Sequence, residues 1–200
     1  MDNWRKNRWT IFYYIIWVLI AMEAILAWQM IAPLSDLGSF VRLLTWLDRI
    51  LALATMFFVI GVIRFFRESR NIIYTIYVLL VTTILSFVLK NALFMGIFGF
   101  IGFAAYVYYI VRLFSIKSPE IAPQFRKLAF LDIAYILTQI AATILAAKHW
   151  TGRGTSGAVP FLMAIPTNVV LLSITNIMRR SDGVSSVEKD IASIGEPTMD

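Results

Sequence analysis

Two hundred residues, 60% of them hydrophobic and 15% charged, with a mean hydropathy of +0.77, carry more apolar surface than one soluble core can hide. A soluble domain is nearer half apolar and a quarter charged, so the surplus is assigned to lipid. The absence of cysteine excludes disulfides, thiolate catalysis and iron–sulfur ligation, a single histidine, His149, excludes metal sites built on paired histidines, and the formal charge of +6 is read as membrane orientation rather than nucleic-acid binding.

Six apolar segments follow one another, at residues 9–32, 43–66, 72–89, 92–114, 128–147 and 158–178. Each matches the ~20 residues that a helix rising ~1.5 Å per residue needs to cross a ~30 Å hydrocarbon core. The alternation of a barrel strand is missing, so the expected fold is all-α, a bundle of six transmembrane helices. The first segment follows a basic approach (Arg5, Lys6, Arg8) and ends in Trp28-Gln29-Met30. It is too long for a signal peptide and lacks a small-residue cleavage site, so it is read as retained.

The first segment holds one ionisable group, Glu23, which by helix rise lies ~20 Å from Trp9. A carboxyl group at that depth is costly and counts by default as a functional-site candidate. After turn chemistry at Pro33 to Ser39, with Ser39 a candidate N-cap, the second segment opens on Asp48 and Arg49. Asp48, Ala52 and Thr55 share a face by their spacing. Glu23 is expected to point into the bundle toward Arg49. The third and fourth segments are joined at Lys90-Asn91, too short a link for anything but antiparallel neighbours. The fourth carries Gly96, Gly99 and Gly102, read as a packing surface for the third helix or for a second copy.

The fifth segment aligns Ala129, Asp132, Gln139, Thr143 and Ala146 in a polar and small-residue seam. Asp132 is expected to bond Arg126, Lys127 or Arg112 at the interface. Residues 151–157 read as a mobile glycine-rich loop. The sixth segment adds Pro160, Pro166, Thr167, Asn168, Ser173, Thr175 and Asn176, with a kink and a freed carbonyl expected at Pro166. Residues 181–200 form an acidic tail, expected to be disordered apart from a pair of helical turns starting near Ser185 or Ser186.

Thirteen basic residues fall on the side of the termini and five (Arg42, Arg49, Lys90, Lys148, Arg153) on the other. The positive-inside rule then places both termini in the cytoplasm, with the cell membrane as the expected location. The aromatic clusters Trp4, Trp9, Tyr13, Tyr14 and Tyr106, Tyr108, Tyr109 fit an inner interfacial belt, and Trp28, Trp46 and Trp150 an outer one.

Catalysis has little support. Acids occur singly rather than in the clusters that hold Mg²⁺, and no serine motif resembles a nucleophile elbow. The sequence therefore points to a binding or transport component for a small solute, proton-coupled through Glu23. The pathway candidates are Glu23, Asp48, Arg49, Gln139, Thr143, Asn168 and Asn176, with no cofactor or metal. The alternative is a non-catalytic assembly or regulatory protein acting through helix packing and its tail. Partners of these readings are the lipid bilayer, a small solute, and a membrane protein or a second copy of the chain.

Overall fold

Hydrocarbon offers no water to backbone amides, so an apolar chain must close its hydrogen bonds within itself. In the computed structural model this chain does so as six helices: α1 (Asp2–Ile31), α2 (Gly38–Phe65), α3 (Arg70–Val88), α4 (Ala92–Leu113), α5 (Ala122–Ala147) and α6 (Arg153–Ile194). The structure describes the backbone at residues 2–32, 38–88, 92–147 and 153–194, and side chains at 8–32, 38–85, 93–94, 96–147 and 157–181. Five helices are long and apolar enough to cross a membrane, and the described apolar stretch of α3, Arg70–Leu85, is shorter. The expected Lys90-Asn91 link, residues 33–37 of the expected turn and residues 151–152 of the glycine-rich stretch lie outside the described residues.

Several helices run beyond the expected apolar segments, α1 from Asp2 and α2 from Gly38 among them. α5 starts at Ala122, well before the apolar segment, because Phe125 is fully buried and anchors the extra turn. α6 starts at Arg153, so much of the glycine-rich stretch is helical, and Gly157 lies against Met30, whose sulfur is 3.3 Å from where a Cβ would stand. α6 also continues to Ile194 instead of giving way to an unstructured tail. Its extension carries Val184, Val187, Ile191 and Ile194 at spacings of three and four, a helical period hidden by the acidic composition. Residues 195–200 lie outside the described residues.

The helices pack in chain order, and α1 closes on α6, so that the six surround a common interior. The end of the bundle nearer Arg64, Arg112 and Arg179, called here the basic end, is filled by Trp9, Phe58, Ile63, Leu113, Phe125 and Met178. Trp9 belongs to this core rather than to an interfacial belt. It is 2% exposed and meets Phe58 and Phe65 edge to face, with ring centroids 5.8 and 6.3 Å away. Tyr109 is likewise buried, whereas Tyr14, Tyr108, Trp28 and Trp46 are exposed as belt residues would be. Glu68, beyond α2, fastens the α4–α5 connection: its Oε1 accepts bonds from the Lys117 and Ser118 amides and the Ser118 hydroxyl at 3.0, 2.7 and 2.7 Å.

The glycines of α4 divide by role. A Cβ on Gly102 would stand 3.1 Å from Oγ1 of Thr82 on α3, while Gly96 and Gly99 face open space. Gly102→Leu is therefore expected to force α3 and α4 apart and cost about 2 kcal/mol of stability, the scale of an overpacked contact. Gly99→Leu should leave the thermal unfolding of the solubilised chain unchanged. Equal midpoints for the two variants would disprove this division.

Candidate functional site

The interior of the ring is not solid. A cavity of about 280 Å³ is lined by Glu23 of α1, Asp48 and Ala52 of α2, Asp132 and Tyr135 of α5, and Pro160, Phe161 and Thr167 of α6. A second, of about 400 Å³, lies beside it between α2, α3, α4, α5 and α6, with Thr55, Met56, Leu79, Thr82, Phe103 and Tyr109 in its wall. Tyr106, Asp132 and Thr167 line both. Among the described residues, three carboxylates and no Lys, Arg or His line this pair of cavities.

Each acid reaches its place through helical spacing. Glu23 is 5% exposed, and its Oε1 and Oε2 accept bonds from Nδ2 of Asn168 at 2.7 and 2.9 Å. That one side chain joins α1 to its neighbour α6. The expected partner, Arg49, is instead exposed, with its guanidinium over the Trp46 ring at 5.5 Å from the centroid. The reason is rotational. One residue advances a helix by about 100°, so an Asp48 turned inward carries Arg49 away from the interior. Asp48, Ala52 and Thr55 do share the inward face. Oδ1 of Asp48 is buried without a hydrogen-bond partner, a state that few buried polar atoms occupy.

Asp132 also departs from expectation. It is 7% exposed, and its Oδ1 accepts the Tyr106 hydroxyl at 2.9 Å, so it serves the interior and not the interfacial arginines and lysines. Tyr106 is correspondingly removed from the belt and stacks on Tyr109 with centroids 6.4 Å apart. Reading Asp132 by depth alone missed this role. The signal available was its place on the α5 seam, three residues from the fully buried Ala129.

The remaining candidates scatter. Gln139 is half-buried and its Nε2 has no partner, but it lies outside both cavities. Thr143 is exposed and its hydroxyl donates to the Gln139 carbonyl of its own helix at 2.8 Å. Asn176 is exposed, on the face of α6 opposite the buried Ile174 and Met178. Near Pro166, which has no amide hydrogen to give the helix, the Thr167 hydroxyl donates to the Met163 carbonyl at 3.2 Å. Among the described residues no group of three acids or histidines has the arrangement of a metal site.

The fold defines the chain's class as an all-helical membrane bundle whose mostly apolar interior holds three acids. No protein-family model matches the chain, and neither a curated protein nor a solved structure does.

Proposed function

We propose that this chain is a binding or transport component for a small solute, and that the solute is an organic cation. The carrying observation is the pair of adjoining cavities walled by Glu23, Asp48 and Asp132 with no basic side chain among the described lining residues. Negative groups in a low-dielectric, mostly apolar pocket favour a positive ligand, and tyrosine and phenylalanine faces add cation–π attraction. The combined space suits a molecule of modest size, since ligand pockets commonly run from about 300 to 1,000 Å³. Both termini are placed in the cytoplasm on the strength of the charge asymmetry alone.

A carboxylate that holds a cation when ionised and a proton when not can exchange one for the other. Glu23 carries that coupling in the proposal, and its bond to Asn168 ties the exchange to the packing of α1 on α6. The test is uptake of benzyltrimethylammonium, whose charge does not titrate, into vesicles reconstituted with the protein. Acidification of the binding side should weaken binding, because protons compete for the same oxygens. An outward proton gradient should change the uptake rate. Glu23→Gln keeps the shape and removes the ionisable oxygen, so it should abolish the gradient response. Uptake and binding unchanged in that variant would end the coupling idea.

A further inference from the structure

We propose that the basic end of the bundle holds an anionic phospholipid, with its phosphate among Arg64, Arg67 and Arg70 and an acyl chain in the groove between α3 and α4. A cavity of about 540 Å³ opens between α2 and α3, lined by these three arginines with Glu68, Tyr74 and Tyr77. Tyr77 Oη accepts a bond from Arg64 Nη2 at 3.0 Å, which fixes one guanidinium in the wall. Glu68, the one acid among the described lining residues, has its Oε1 held by the Lys117 and Ser118 amides and the Ser118 hydroxyl, and three guanidinium groups against one carboxylate leave the space predominantly positive. Basic pockets between spanning helices are suited to lipid headgroups.

The backbone at Arg67 supplies a second, independent observation. α2 ends with the Glu68 amide bonded to the Ile63 carbonyl and the Arg67 amide to the Arg64 carbonyl, the paired bonds of a Schellman ending. The residue that donates the inner of these two bonds takes left-handed backbone, and glycine is its usual occupant. Here it is Arg67, at φ 53°, the one non-glycine residue with positive φ among those described. A side chain kept where glycine is easier points to work done by that side chain, and the turn aims it at the cavity that Arg64 and Arg70 share.

The third observation commits the site to a lipid. Tyr74 also lines a largely apolar groove of about 360 Å³, with Asn71, Thr75 and Val78 of α3 and Ala105 and Tyr108 of α4. From Asn71 to Val78 the helix rises ~10 Å, enough for roughly eight methylene groups of a chain running toward the bilayer centre. A free phosphate would have no use for that groove.

The test is titration of the purified, detergent-solubilised full chain with phosphatidylglycerol, phosphatidylcholine of the same chains, and inorganic phosphate, read by native mass spectrometry. Phosphatidylglycerol should be retained in clear preference to phosphatidylcholine, and phosphate should compete poorly. Arg67→Gly relieves the left-handed backbone, so its thermal midpoint should equal or exceed the parent's. Its affinity for phosphatidylglycerol should nevertheless fall about five-fold, as for the loss of one cation near an anionic headgroup. Val78→Trp, which fills the groove, should weaken diacyl lipid while leaving phosphate unaffected. Equal retention of the two lipids, or an Arg67→Gly variant that binds as the parent does, would overturn the proposal. Phosphate competing as well as phosphatidylglycerol would replace the lipid with a free-anion site.

Discussion

Replacing Asn168 with leucine is expected to be the most damaging single change to the bundle. Leucine matches asparagine in size but offers no donor, so both oxygens of Glu23 lose their partner in a position 5% exposed. A buried acceptor stripped of its hydrogen bonds costs its full desolvation, and for a charged group this comes to about 3 kcal/mol. In a chain of this length that lowers the thermal midpoint by roughly 10 °C. The pair's worth is separable from the apolar alternative by a cycle. Glu23→Leu combined with Asn168→Leu removes the unpaired group together with its former partner, and should recover most of the loss. Additive destabilisation in the double variant would mean that the two residues act independently, and would remove the Glu23–Asn168 bond from the account of how α1 is held to α6.

The fold was legible because lipid leaves few options. Long apolar runs force helices, and each expected segment overlaps one observed helix. Helix ends were less legible, since they depend on contacts that composition does not carry. Phe125 extends α5 because it is fully buried in the core cluster that also holds Leu113 and Ile121. The extension of α6 follows from four apolar residues at helical spacing within a stretch whose acids suggested a tail.

The candidate site was legible in its acids and illegible in their partners. Glu23 was marked by the cost of its burial, and Asp48 by its spacing from Ala52 and Thr55. Pairing by charge then led to Arg49, because an acid at similar depth to an arginine invites an ion pair. Depth fixes only one coordinate, however. The rotation of each helix about its axis decides which residue of Asp48 and Arg49 faces inward, and tertiary packing sets that rotation. Tyr106 shows the same limit, since an amphipathic ring near a span end fits the belt and the interior equally well in one dimension. Only the apposition of α4 and α5 brings its hydroxyl to Asp132.

Asp132→Asn is expected to give the largest change in ligand affinity, because Asp132 is the carboxylate that both cavities share. Asparagine preserves the volume and can still accept the Tyr106 hydroxyl, so the bundle should remain folded. What it loses is a charge facing a poorly solvated space. Removing one partner of a buried charge pair costs 2–5 kcal/mol, so binding of benzyltrimethylammonium should weaken by about 30-fold or more. Tyr106→Phe tests the same atom from the other side. It withdraws the donor that now occupies Oδ1, freeing that oxygen for ligand, and should leave cation affinity equal or higher while lowering stability by about 1 kcal/mol. Thr143→Val and Asn176→Leu change exposed residues and should leave binding as in the parent. Isothermal titration on the solubilised protein distinguishes these outcomes. A neutral or anionic solute would bind Asp132→Asn as well as or better than the parent, and that result, with unchanged binding of the cation, would show that the carboxylates organise the bundle and do not select its ligand.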